Sequence, residues 1–309
     1  MRVRAIVLLA LTVSLSTLPA VSATFRPGDI IVSTSMDNPP DQFGFTGRIR
    51  QFAPDGTLIQ EFFSSGVTGA ADLKFSPDGI LHGAAGQVIF RFANDGTMLA
   101  PLQAPSPAYF LVSLAFARSG DLYATTYDGR VLKFGRDGSA PVVVSAQTSS
   151  LTWADLDIDQ CTLYRFRAEI GRLNVCTNTV LAPLPTQLGV LGRTLLVLPD
   201  GTLLASTAQS DMYRIATDGT VLRHYATHAI AFSRDLSSNF VWVSLGSQFA
   251  KFDLQNDVIA AGPFDTGAGE VGGIAIVGAD VAAIPALSPI LLALLALAVA
   301  TSAIVRLRM

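Results

Sequence analysis

Short apolar runs recur along the middle of the chain, each closed by Gly, Pro, Asp, Asn or Ser. The runs are rich in β-branched and aromatic residues and too short for amphipathic helices, so they predict strands. They fall into groups of four. One group is Asp72–Ser76, Ile80–Gly83, Val88–Ala93 and Thr97–Gln103, and the next is Ser113–Ala117, Asp121–Thr126, Arg130–Gly135 and Pro141–Ser145. Two later groups are Thr194–Leu198, Thr202–Thr207, Asp211–Ala216, Thr220–Tyr225 and Ala229–Ser233, Phe240–Leu245, Phe249–Leu254, Val258–Ala261.

A short phrase marks the same place in each group. Arg91-Phe92-Ala93-Asn94-Asp95-Gly96-Thr97 returns around Asp55-Gly56, Asp137-Gly138 and Asp218-Gly219, and in decayed form at Asn178 and Asn256. The steps between these turns are 40, 42, 41, 40 and 38 residues, so one structural unit is used six times. Asp-Gly closes tight hairpins because glycine takes positive φ at little cost. The aromatic residue before the turn (Phe52, Phe92, Phe134, Phe252) is expected between adjacent sheets.

The first unit opens at Gly28–Val32, which matches the second strand of the other units, and Val271–Val277 supplies the missing first strand. The expected fold is therefore all-β: a six-bladed β-propeller whose N- and C-terminal strands share one blade. Residues 26–278 resemble the six-bladed propellers of the NHL-repeat and SMP-30/gluconolactonase-like group. The resemblance rests on the forty-residue period and on Ala71-Asp72-Leu73-Lys74-Phe75-Ser76-Pro77-Asp78-Gly79. It implies architecture; activity is a property of sites grafted on the fold.

In such a propeller the first strand of each blade lines the channel. Alignment of the units puts Asp72, Ser113, Asp155, Thr194, Ala229 and Gly273 there. No cofactor is expected; the alternative is a divalent cation such as calcium, held by Asp72 and Asp155 with Ser113 and Thr194 nearby. The SMP-30-like lactonases bind such a metal through a Glu, two Asn and an Asp. Only the Asp has a counterpart, at Asp72 or Asp155. Against the cation stands a second role for these acids, the capping of neighbouring strand amides. On the opposite face from the Asp-Gly turns, the long loop carrying Asp37, Asn38, Asp41, Phe43 and Phe45 is either a contact surface or a cover for its own blade.

Composition narrows the partners. The chain has 309 residues, a net charge of −3 and no basic run in its middle, which excludes a nucleic-acid footprint. No Gly-x-Ser-x-Gly elbow or phosphate-cradling loop is present. Cys161 and Cys176 are the only cysteines, and pairing them across the fourth blade's middle hairpin puts them opposite each other. A disulfide is expected if the protein is exported.

The two ends predict export. Met1–Arg4, the apolar run from Ala5 and the small residues to Ala23 have the layout of a signal peptide, cleaved after Ala23, with an uncleaved anchor as the alternative. Residues 24–280 form the propeller domain. Residues 281–309 begin with an uncharged stretch to Val305, long enough to span a bilayer, followed by Arg306 and Arg308. Ile284, Pro285, Ala286, Leu287 and Ser288 before that stretch resemble the IPTL-type sorting signals of Gram-negative bacteria, which implies processing by an exosortase-like membrane enzyme. Ala286 stands where that family has Thr, and a plain single-span anchor is the alternative. The expected place is the periplasmic side of the inner membrane, tethered through residues 285–305 or sorted to the surface. The function expected there is non-catalytic binding of a protein or glycan. The alternative is a metal-dependent hydrolase of the lactonase type.

Overall fold

The computed structural model describes residues 23–35, 47–64, 70–106, 109–136, 139–145, 153–186, 188–189, 191–209, 211–237 and 239–279. The expectations for the signal peptide, for the loop with Asp37, Asn38, Asp41, Phe43 and Phe45, and for the tail with Ile284–Ser288, Arg306 and Arg308 lie outside them. Among the described residues no helix is long and apolar enough to cross a membrane.

The turn chemistry and period produce six four-stranded sheets. The first holds β1 (Ile30–Ser35), β2 (Gly47–Phe52) and β3 (Leu58–Ser64). The second holds β4 (Asp72–Phe75), β5 (Leu81–Ala85), β6 (Val88–Phe92) and β7 (Met98–Gln103). In the third are β8 (Leu111–Phe116), β9 (Leu122–Thr126), β10 (Val131–Phe134) and β11 (Val142–Ser145), and in the fourth β12 (Trp153–Leu156), β13 (Thr162–Phe166), β14 (Ile170–Asn174) and β15 (Thr179–Leu181). The fifth has β16 (Gly192–Val197), β17 (Leu203–Thr207), β18 (Met212–Ile215) and β19 (Val221–Tyr225); the sixth has β20 (Phe232–Arg234), β21 (Phe240–Leu245), β22 (Gln248–Asp253) and β23 (Val258–Asp265). The last strand, β24 (Val271–Ile276), pairs antiparallel with β1 in the first sheet, Ile30 opposite Ile276 and Val32 opposite Ile274.

Burial follows from this layout. A second strand has a neighbouring sheet on each face, and β5, β9 and β17 are buried at every position. A fourth strand lies at the rim, and β23 is mostly exposed. Six apolar clusters fill the seams between neighbouring sheets. The pre-turn aromatics sit in them as expected: Phe52, Phe92, Phe134 and Phe252 are each at most 3% exposed. Phe52 meets Phe249 of the sixth sheet at 4.9 Å between ring centres. Burial of each such side chain contributes on the order of 1.5–3 kcal/mol.

The Asp-Gly turns repeat one construction. In the first sheet the Gly56 N–H donates to Ala53 O (2.9 Å), Gly56 takes φ +84°, and Asp55 Oδ1 accepts the Thr57 N–H at 2.9 Å. Asp95 and Asp218 accept the same bond from Thr97 and Thr220, both at 2.8 Å. Those bonds hold all three carboxylates below the ordinary aspartate range.

Cys161 and Cys176 are joined, with Cα atoms 5.2 Å apart. Both lie just beyond the ends of β13 and β14, next to the bond from Val175 N–H to Cys161 O (2.7 Å).

Candidate functional site

The inner strands β24, β4, β8, β12, β16 and β20 surround the axis, and polar side chains on them and on the neighbouring β1 link one sheet to the next. Ser33 Oγ donates to Ala70 O at 2.6 Å, from the first sheet to the second. Asp72 Oδ2 accepts Ser113 Oγ–H (2.9 Å) and Leu114 N–H (2.8 Å), from the second to the third. Ser113 Oγ also accepts the Ala154 N–H at 3.2 Å, from the third to the fourth. Asp155 Oδ2 accepts Val197 N–H (2.8 Å) in the fifth sheet and Arg234 Nη2–H (3.0 Å) in the sixth. Arg234 Nε–H donates in turn to Val197 O at 2.7 Å.

Asp72 and Ser113 are thus brought into contact. Asp155 belongs to a separate group with Arg234. Thr194 is buried on β16, and its hydroxyl joins neither group in the bonds above.

The alignment of units needs correction in two blades. The first turn is closed by Ser76 N–H to Ile80 O in the second sheet, but by Asp157 N–H to Thr162 O in the fourth and Asp235 N–H to Phe240 O in the sixth. Those last two turns are one residue longer and lack Asp-Gly. Counting back from the turn, Trp153 is the counterpart of Asp72, and Asp155 lies level with Lys74. The sixth-blade counterpart is Ala231 in place of Ala229.

Burial raises the Asp72 carboxyl above the ordinary range and the charge of Asp155 adds to this, while Lys74 and the bonds from Leu114 and Ser113 only partly offset it. Asp155 is paired with Arg234. Both carboxylates face N–H and O–H donors, whereas a calcium site needs converging oxygen acceptors. No group of three or more His, Cys, Asp or Glu among the described residues could hold a metal ion. The bonds that both carboxylates accept are those of strand capping. Arg234 is absent from the sequence reading; its one signal is being a basic residue beside the first turn of its unit.

No family model matches the chain, and no curated protein matches it in sequence. Solved structures match it in shape. A chain from the crystal structure of a nidogen/laminin complex superposes with a TM-score of 0.63 at 14% identity, covering 81% of this chain and 98% of that one. A protein of unknown function from Bacteroides caccae gives 0.63 at 10% identity, covering 82% and 100%. Virginiamycin B lyase from Staphylococcus aureus gives 0.54 at 16%, covering 76% and 89%. The fold is a six-bladed β-propeller. At these identities the likeness carries architecture alone.

Proposed function

We propose that this propeller is an exported, non-catalytic binding module of the NHL/SMP-30-like kind, tethered by its C-terminal segment or sorted through it, that takes a protein or glycan on the face opposite the Asp-Gly turns. The observation that carries the reading is the use made of the channel acids. Asp72 and Asp155, the two carboxylates expected at the channel, accept bonds from the adjoining sheets and so serve cohesion.

A second observation supports the orientation. Gly28 N–H donates to Val277 O (3.0 Å) and Phe25 N–H to Asn94 O (2.6 Å), so both described chain ends lie on the Asp-Gly face. A membrane tether at residues 285–305 would leave the other face free.

Mass spectrometry of the native chain from fractionated cells tests the proposal. A mature protein starting at Thr24, in a membrane or surface fraction, is expected; sorting predicts loss of Arg306 and Arg308, and a plain anchor predicts their retention. A soluble cytoplasmic chain starting at Met1 would overturn it. Excess calcium should leave the melting temperature unchanged, and a rise would favour the lactonase-type alternative.

A further inference from the structure

The repeat supplies internal controls. In each sheet the third strand places a polar side chain one position before its buried pre-turn residue: Gln51, Arg91, Lys133, Arg172, Arg214 and Lys251. In four sheets that side chain reaches an Asp at the first turn. Gln51 Nε2 bonds Asp29 at 2.6 Å, Lys133 Nζ bonds Asp121 at 2.8 Å, Lys251 Nζ bonds Asp235 at 3.1 Å, and Arg214 bonds Asp200. In the fourth sheet the Tyr164 hydroxyl takes over, at 3.3 Å from Asp157, and Arg172 turns away to Ala182 O at 2.7 Å.

The second sheet does neither. Asp78 accepts from Ser76 Oγ–H at 2.5 Å. Arg91 Nε is buried without a hydrogen-bond partner, and Nη1 makes only a long contact with Ala100 O at 3.4 Å. The ring between them is His82, at the register position that Tyr123, Tyr164 and Trp242 fill elsewhere. The smaller ring leaves a cleft of about 70 Å³ between the second and third sheets, lined by Asp78, His82, Arg91, Leu102, Phe116 and Arg136 among others. That is room for a few waters or one short acid.

We propose that this cleft binds a short-chain monocarboxylate, its carboxylate between Arg91 and Arg136 and its hydrocarbon end against Phe116 and Leu102. Charge selects the class. Arg91 and Arg136 bring two positive charges and Asp78 one negative, so one anionic charge balances the lining. Guanidinium forks suit a planar carboxylate. Arg91 Nε has almost no accessible surface, so the carboxylate is held by the Nη groups.

His82 reports on the site. Its Nδ1–H donates to Ile80 O at 3.0 Å, which leaves Nε2 as the free ring nitrogen. Burial first, and then Arg91, pull its pKa down to about 4, against bonding to Ile80 and the charge of Asp78. Lys74 pairs with it in register on β4, Phe116 packs edge-on at 4.8 Å, and Arg136 lines the same cleft. An anion beside Arg91 and Arg136 offsets the cations that oppose protonation, so binding raises the His82 midpoint.

The test is an acetate titration of the full chain in detergent at constant ionic strength, with chloride as reference, followed by the His82 ring proton in NMR. His82→Tyr assigns the signal. At neutral pH, where the probe is ionised, acetate should shift it saturably, with propionate about fourfold tighter for its added methylene. Arg91→Gln, which places at this position the residue of the first sheet, should weaken acetate about tenfold or more. Arg136→Gln, at an exposed position, should weaken it several-fold, and Arg172→Gln in the fourth sheet should change nothing. A His82 response to acetate no larger than to chloride, or one unaltered by Arg91→Gln and Arg136→Gln, overturns the proposal.

Discussion

Single residues divide between those that stabilise by accepting a bond and those that carry a burial cost. Asp72 carries such a cost: its raised pKa means that the folded protein disfavours the ionised form. Its contribution is therefore full below the unfolded aspartate pKa and declines as pH rises through the folded value. Asp72→Asn keeps an acceptor for Leu114 and Ser113, so its melting temperature relative to the parent should rise from acid to neutral pH. An unchanged difference across that range would refute the sign. Asp155→Ala should be destabilising, by about 2–3 kcal/mol in denaturant titration, since Val197 N–H loses its acceptor and the partly buried Arg234 loses its carboxylate. His82 acts in the opposite sense to Asp72. Its pKa falls from 6.5 to about 4, so the stability it contributes is full above the unfolded value and is lost as pH falls through the folded one. His82→Tyr should flatten that acid limb in a pH series of thermal melts.

Legibility at this scale tracked locality. The turn aspartates were readable because their bonds run to a residue two positions on. The intersheet roles of Asp72, Ser113 and Arg234 cross about forty to eighty positions (41 for Ser113 to Asp72, 79 for Arg234 to Asp155), and no local pattern encodes the partner.

Elements were set mainly by turns, and their predicted bounds hold to within a residue or two wherever Pro-Asp-Gly or Asp-Gly marks the end. Precision failed where that signal decayed. In the fourth and sixth sheets the inner-strand alignment was out by two residues, in opposite directions (Asp155 for Trp153, Ala229 for Ala231), because without Asp-Gly nothing in the composition anchors the first turn. The fourth sheet has a covalent clamp across its middle hairpin. Replacing both cysteines with alanine closes no loop in the unfolded chain, and for a separation of 15 residues the expected cost is about 3 kcal/mol in the chain-entropy model. Denaturant titration with and without reductant measures it. A parent insensitive to reductant would argue against the assignment.

The whole molecule depends on seams. Its sheet count was legible because six units of one period leave few other arrangements, whereas the tightness of the seams was not. Gly272 and Gly273 show why. A Cβ on Gly272 would lie 2.8 Å from Ala70 O, and one on Gly273 would lie 3.0 Å from Leu73 N. Only glycine lets β24 approach the second sheet that closely, so Gly273→Val should cost about 1–3 kcal/mol by overpacking. A single cooperative transition displaced to lower denaturant is the expected record; a second, separate transition would mean that the first sheet unfolds by itself.

The pairing of β24 with β1 also constrains synthesis. Ser33 contacts Gly273, 240 positions later. At ribosomal rates of about 5–20 residues per second, Ile30, Ile31 and Val32 wait roughly ten seconds to a minute for their partner strand. Through that interval a bare, strongly apolar edge travels with the nascent chain. Until the last strand emerges, that edge is open to pairing with other chains, which makes it the stretch of the nascent protein most exposed to aggregation.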